Sequence, residues 1–213
     1  KLQSPIIHRR QTPWKKSRTF GDIFGGRSRR RIPDRIWQRF HSIKPLAAHD
    51  QQPHFIVDNP SRDFFFPLTP EDIRKELGHL PRRHWSQITH IWLRRRRKAD
   101  VSTGEFPLAE FICGSGVRLI VLYPWLRNLS LPLGTARPTR HLKRRYAQYT
   151  TDVRQVGSSW QLHWEKDAIR NFSVEQLLYH EIGHHLDWYQ RRWSSANRKA
   201  VEEFADQYAF ERT

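Results

Sequence analysis

The sequence predicts an α+β fold with a small, mostly antiparallel sheet and helices toward both ends of one domain. Two pairs of β-prone segments flank glycine-containing turns, and capping signals mark helix starts near residues 69 and 173. Of the 213 residues, 37% are hydrophobic and 13% are aromatic, which is more than a disordered chain would contain. We therefore expect residues 69–213 to form one folded domain with a buried core.

Residues 1–68 are expected to form a basic N-terminal arm, a helix and a connector. Residues 1–31 contain several short runs of Lys and Arg and show neither helical nor strand periodicity. Pro33 and Asp34 mark a first helical turn, and apolar residues follow at helical spacing up to Ile43. This segment is therefore assigned separately from the domain that comes after it.

Residues 69–164 contain the signals of a helix, a strand and two hairpins. Thr69 and Pro70 predict a capped helix that ends at Gly78, and residues 87–93 are β-branched and aromatic, which predicts a strand. Each predicted hairpin has glycine in its turn. The paired segments are residues 109–113 with 117–123, and residues 152–156 with 160–164.

Two helices are predicted at the end of the chain. Ser173 and Gln176 form a capping-box pattern, so a helix is expected from there to about residue 189. That helix contains His180-Glu181-Ile182-Gly183-His184. Because positions i and i+4 share one helix face, the two imidazoles can reach one metal ion with Glu181 beside it. Two histidine ligands and a carboxylate base at this spacing are typical of zinc peptidases, and chance predicts only about 0.03 such matches.

A catalytic zinc site requires a third protein ligand. No histidine follows His185, so the candidates lie in the acidic segment of the last helix, which is predicted to start near residue 196. Glu202 and Asp206 share one face of that helix with Ala205, whose small side chain permits close helix packing. Glu202 is therefore the candidate ligand and Asp206 the candidate acceptor for a histidine N–H. Glu203, about 100° away, is the alternative ligand.

These residues resemble the gluzincin zinc peptidases, most closely the ImmA-type peptidases that cleave repressors of phages and mobile elements. The shared pattern is a His-Glu-x-x-His helix followed 18 positions later by Glu-x-x-Ala-Asp-x-Tyr-Ala, within residues 173–210. The resemblance implies a zincin-like fold for residues 69–213, with the motif on an active-site helix and the third ligand on the C-terminal helix. It implies five site residues: His180, His184 and Glu202 as zinc ligands, Glu181 as general base and Asp206 as support.

Several further assignments remain open. Cys113 could be a soft zinc ligand, but its position beside a Gly-Ser-Gly turn favours packing in a hairpin. The oxyanion could be stabilised by Tyr189, Tyr208 or His185. The segment Trp160 to Trp164 is expected to be an edge strand that pairs with an extended substrate.

The net charge of +17, from 38 Lys and Arg against 21 Asp and Glu, is the second functional signal. Charge at this density attracts polyanions, although solvated loops are the alternative explanation. We predict contact with DNA or RNA without sequence-specific readout, because no helix-turn-helix, RNP or zinc-knuckle pattern is present. The predicted contact residues are Arg94, Arg95, Arg96, Arg97 and Lys98 in one run, and Arg140, Lys143, Arg144 and Arg145 in another.

Composition also excludes some classes of protein. No apolar run approaches the ~18–20 residues of a membrane-spanning helix, so no membrane partner is expected. Cys113 is the only cysteine, which excludes intrachain disulfides and favours a reducing, cytoplasmic location. The sequence thus predicts a zinc-dependent endopeptidase in which Glu181 activates a zinc-bound water, with nucleic-acid-associated proteins as one substrate class. The alternative is a nucleic-acid or ribonucleoprotein-binding protein with a zincin scaffold and weak or no peptidase activity.

Overall fold

The computed structural model describes residues 43–44, 52–101, 106–188 and 196–212. The predicted arm and its helix up to residue 42, together with Tyr189, lie outside these residues, and Ile43 is not helical. The chain divides into two units, Lys1–Lys44 and Pro45–Thr213, and all the described strands and helices belong to the second. Residues 54–57 and 64–65, which were predicted to belong with the arm, form strands of this second unit.

The described part of the second unit has an α+β architecture. Its strands are β1 His54–Val57, β2 Phe64–Phe65, β3 His90–Leu93, β4 Ala109–Gly114, β5 Val117–Leu122, β6 Trp125–Leu126, β7 Ser130–Gly134, β8 Val153–Val156 and β9 Ser159–His163. Its α-helices are α1 Pro70–His79, α2 Lys98–Val101, α3 Arg140–Tyr146, α4 Lys166–Phe172, α5 Tyr179–Asp187 and α6 Arg198–Phe210. Within the described ranges, no helix has the length and apolarity needed to cross a membrane.

The largest sheet has four strands in the order β1-β3-β5-β4. β1 is parallel to β3 and β3 is parallel to β5, while β4 is antiparallel to β5. This sheet is therefore mixed, whereas the sequence predicted a mostly antiparallel one. Parallel neighbours need long crossover connections, and α1 lies in the connection between β1 and β3.

Both predicted hairpins are confirmed, and their strands pair antiparallel. Ser115 (φ 49°) and Gly116 (φ 78°) form the turn between β4 and β5, and both have the left-handed backbone of a two-residue hairpin loop. The second hairpin, β8–β9, joins β7 in the order β7-β9-β8. The prediction that Trp160 to Trp164 forms an edge strand is wrong, because β9 is the central strand of this sheet. The edge strand β7 contains Pro132, which suits an edge position.

The helix before the site is longer than predicted. α4, a π-helical segment Ser173–Leu178 and α5 follow each other directly in one helical run. Ser173 is therefore not an N-cap: it lies inside the helix, and its hydroxyl donates to the carbonyl of Ile169 over 2.7 Å. In contrast, the capping box at Thr69 is confirmed, since Thr69 and Asp72 exchange hydrogen bonds at the start of α1.

A hydrophobic core joins the largest sheet to α1, α5 and α6. Ile91 and Ile120 from the sheet and Ile182 from α5 are fully buried in it. Because burial of apolar surface is favourable, this core holds α5 against the sheet. The polar face of α5 is thereby held beside α6 and β4.

Candidate metal centre

The two motif histidines lie one turn apart on α5. The ring centroids of His180 and His184 are 4.6 Å apart, and the planes of the rings are nearly perpendicular. Both side chains are half-buried on the face of α5 that meets α6. The helical i, i+4 spacing therefore brings the two rings to one point, as the sequence indicated.

Glu202 on α6 completes a set of three candidate ligands, His180, His184 and Glu202, which we call the metal group. Its Oε2 atom is 3.6 Å from Nε2 of His180 and 3.7 Å from Nε2 of His184. One ligand atom from each of the three residues lies within 4.8 Å of the others. In a tetrahedral zinc site with bonds of 2.0–2.2 Å, ligand atoms are about 3.4 Å apart. The two nitrogen-to-carboxylate distances are close to this spacing, and the donor set is one that zinc accepts, so the three residues could hold a zinc ion.

Asp206 lies one turn after Glu202 on α6. Its Oδ1 atom is 3.0 Å from Nδ1 of His180, so the ring N–H donates to the carboxylate. In the neutral ring this hydrogen bond fixes the tautomer that leaves Nε2 of His180 free of a proton and directed at Glu202. The alternative ligand Glu203 is not among the grouped residues, and its exposed carboxylate is 3.5 Å from Nζ of Lys199.

Burial and neighbouring charges set the protonation of the two histidines. Burial, followed by the charge of His180, lowers the pKa of His184 to about 4, so His184 is neutral at pH 7. Burial also opposes the charged form of His180. However, Asp206, Glu181 and Glu202 together outweigh it and raise the pKa of His180 above its ordinary value. Neutral His184 can donate a lone pair to a metal without first losing a proton.

Glu181 lies on the sheet side of the histidine pair and is only 5% exposed. Burial raises its pKa to about 8, and the Glu202 and Glu110 carboxylates add to that effect. His180 and a hydrogen bond from the Phe111 backbone N–H act in the opposite direction. Glu181 is thus held between the histidine pair and strand β4.

The outer edge of β4 adjoins this group. Gly114 and Val117 are the paired residues that close a two-residue turn. In an antiparallel hairpin the backbone N–H and C=O groups of alternate residues face the partner strand, so those of Gly114, Ile112 and Glu110 pair with β5. Those of Ala109, Phe111 and Cys113 point away from β5, which explains why the Phe111 N–H reaches Glu181. Sequence reasoning missed this edge, although the predicted hairpin contained it.

The close approach of α5 and α6 depends on Gly183 inside the motif. A Cβ atom on Gly183 would lie 2.8 Å from Cα of Ala205 and 3.2 Å from Cβ of Tyr208. The first contact is with backbone, which cannot rotate away. The predicted role of Ala205 in close packing thus has a counterpart in Gly183, and the pair sets the distance between the histidines and Glu202.

Substitution of Gly183 by alanine should therefore lower stability and weaken metal binding. Overpacking costs about 1–3 kcal/mol, although the better helix propensity of alanine offsets up to about 1 kcal/mol. Thermal unfolding and zinc titration would measure both effects. Gly78 on α1 is the matched control, because a Cβ there meets nothing within 4 Å and Gly78→Ala should not destabilise the fold. Equal behaviour of the two variants would contradict the packing argument.

Other candidate residues lie outside the metal group. His185 is 1% exposed and packs edge-on against Phe111 at 5.6 Å between ring centroids, so it is not directed at the histidine pair. The hydroxyl of Tyr208 is 2.9 Å from Nδ1 of His84, so it is hydrogen-bonded to a residue outside the metal group. Cys113 is not among the grouped ligand atoms, and burial raises its pKa to about 11, so the thiol stays protonated.

The basic run of residues 94–98 is not a uniformly exposed patch. Arg96 is only 6% exposed, donates to the carbonyl of Pro107 and lies over the rings of Tyr123 and Phe106. Burial lowers its pKa to about 10. Arg97 is exposed but forms a bidentate pair with Asp100. Arg96 is therefore a core residue and is not accessible to a phosphate. The prediction that Arg96 contacts nucleic acid is wrong.

The remaining residues of the basic runs differ in their surroundings. Arg94 donates to the hydroxyl of Tyr123, and Arg95 is half-buried. The side chains of Lys98 and Arg145 lie outside the described part, although both residues belong to helices, α2 and α3. Arg140, Lys143 and Arg144 are exposed on α3. Helix α3 therefore matches the prediction of an exposed basic surface better than the first run does.

Comparison with protein-family models, with curated proteins and with solved structures gave no match.

Proposed function

We propose that the chain is a zinc-dependent endopeptidase similar to the gluzincins. The observation that carries the proposal is the meeting of His180, His184 and Glu202 around one point, with Glu181 next to it. Histidine and carboxylate donors in this number are the ligand set of catalytic zinc sites. Asp206 supports the proposal further, since its hydrogen bond orients His180 as a ligand.

In this function a bound zinc ion would polarise the scissile carbonyl and lower the pKa of a water molecule. Glu181 is the residue that accepts the proton from that water and passes it to the leaving amine. Burial raises the pKa of Glu181 in the metal-free protein, and a zinc ion bound beside it would favour the carboxylate form that accepts the proton. The Phe111 N–H positions its carboxylate.

The outer edge of β4 is the proposed site for an extended substrate. Backbone groups of Ala109, Phe111 and Cys113 point outward beside Glu181, and β-strand addition would pair them with a peptide. This assignment replaces the segment Trp160 to Trp164, which is paired on both sides. A peptide on β4 would run past the metal group, as cleavage requires.

Removal of metal should abolish the activity. Purified chain would be incubated with internally quenched peptides of randomised sequence, with 1,10-phenanthroline or with its non-chelating 1,7 isomer. We expect cleavage to fall more than about a hundredfold with the chelator only and to return with one equivalent of zinc. Cleavage that resists the chelator would contradict a metal-dependent mechanism.

A second candidate function is the binding of nucleic acid, which the charge distribution favours. Residues 1–44 contain 13 of the 38 Lys and Arg but only 2 of the 21 Asp and Glu. Helix α3 adds the exposed side chains of Arg140, Lys143 and Arg144. Neutralisation of phosphates by such groups would give strongly salt-dependent binding of DNA or RNA. A protease that acts on proteins bound to nucleic acid would combine both candidates.

A further inference from the structure

A surface cleft lies where the β2–β6 ribbon meets strands β7 and β9. Its volume is about 430 Å³, within the range of about 300–1,000 Å³ typical of ligand pockets. Arg62, Arg127, Asn128, Ser130 and Gln161 contribute to its wall. None of the residues of the metal group lines it, so it is separate from the proposed peptidase site.

Two arginines in this wall lack neutralising partners. The guanidinium groups of Arg62 and Arg127 form no ion pair or hydrogen bond with any residue of the described ranges. Both side chains are exposed. Nearby arginines behave differently: Arg97 pairs with Asp100, and Arg154, opposite Gln161 in the sheet, pairs with Asp152. The cleft thus holds two guanidinium groups outside any ion pair in the described ranges, against the single carboxylate of Asp63.

One neutral hydrogen-bond donor, the side-chain amide of Asn128, is fixed beside the arginines. The side-chain oxygen of Asn128 accepts bonds from the backbone N–H (3.2 Å) and the hydroxyl (2.8 Å) of Ser130. The amide NH₂ of Asn128 therefore points the other way and remains available as a donor. The turn that contains Asn128 and Ser130 has Leu129 at its centre. The φ of Leu129 is 56°, which is rare for a bulky residue. Leu129 is fixed by backbone bonds to Leu126 and Trp164. Strain of this kind persists where the surrounding structure fixes a local geometry.

We propose that this cleft binds a phosphate group of a nucleic-acid strand or of a free phosphoester. Planar guanidinium groups donate two parallel hydrogen bonds to phosphate oxygens, and Arg62 and Arg127 would supply both charge and donors. Asn128 adds a neutral donor. Asp63 is the one acidic residue in the wall, and it opposes the binding of an anion. Removal of the negative charge of Asp63 should therefore strengthen the binding of an anion, which provides a test.

The first test uses the full chain and a fluorescein-labelled 12-nucleotide single-stranded DNA, titrated by anisotropy at several salt concentrations. The double variant Arg62→Gln/Arg127→Gln should bind at least about tenfold more weakly. The slope of log affinity against log salt should flatten by about 1.4, which is two contacts at about 0.7 each. Arg83→Gln, at another exposed arginine that lies outside the cleft wall, should change affinity less than about threefold.

The second test removes the negative charge of the cleft and uses pyrophosphate as a second ligand. Asp63→Asn should tighten DNA binding severalfold, and inorganic pyrophosphate measured by calorimetry should bind the wild type but not the double variant. Pyrophosphate binding without DNA binding would assign the cleft to free phosphoesters. The proposal would be overturned if the Arg83 variant lost as much DNA affinity as the double variant. It would also be overturned if the wild type bound neither DNA nor pyrophosphate. Zinc content and melting temperature should stay unchanged, so failure here leaves the peptidase proposal intact.

Discussion

Replacement of Glu181 by glutamine should lower peptide turnover by about two to four powers of ten and leave the zinc content unchanged. Glutamine keeps the shape of the side chain and can accept the Phe111 N–H, but it cannot take a proton. Burial of a neutral amide at this position costs no more than burial of the carboxylate, so the fold should be retained. The measurement is kcat on the best cleaved peptide, together with zinc analysis of the purified variant.

Glu203 offers the matched control for this experiment. It is the same residue type, lies on α6 next to Glu202, and faces Lys199 rather than the histidine pair. Glu203→Gln should therefore turn over peptide at a rate within about threefold of the wild type, as surface substitutions usually do. If the Glu181 variant were equally active, Glu181 would not be the base.

Substitution of a ligand should remove the metal. His184→Ala and Glu202→Ala should each lower zinc affinity by more than about a hundredfold, because two remaining donors do not complete a tetrahedral site. Wild-type protein should melt at a higher temperature when zinc is added, since a ligand that binds only the folded state stabilises it. Both variants should lose this shift. Metal analysis and thermal melting with and without zinc would measure the two effects.

An exposed histidine supplies the control for metal binding. His79 at the end of α1 has a 60% exposed side chain next to Glu76 and is not one of the grouped ligand residues. His79→Ala should keep the zinc affinity and the thermal shift of the wild type. If Glu203→Ala lost zinc while Glu202→Ala kept it, the third ligand would be misassigned.

Local signals in the sequence predicted local structure well. The capping box at Thr69 and the turn at Ser115-Gly116 depend on residues within a few positions, and both were found. The capping pattern at Ser173 failed because Ile169 and Phe172, which are buried, extend the helix backward through that position. Burial of these two side chains outweighs the stabilisation that one cap provides.

Pairings between distant segments could not be read from the sequence. The parallel contacts of β1 with β3 depend on a crossover of more than thirty residues, and nothing in either strand specifies the partner. The exposure of Arg96 was also mispredicted, because the rings that cover it, Tyr123 and Phe106, come from other parts of the chain. The metal group was predictable because His180 and His184 share one helix and the Glu202 pattern lies on the next.

The π-helical segment ahead of α5 determines the direction in which the histidine pair points from the helix axis. A π-turn contains one more residue than an α-turn, and each residue rotates a helix by about 100°. Removal of one residue from Ser173–Leu178 would let the run become regular, but it would swing the histidine pair around the axis and away from Glu202. The helix register that buries Ile169 and the register that aims His180 are thus incompatible in a regular helix. The wide turn reconciles them, and it makes the length of this segment as important to the metal group as the ligands themselves.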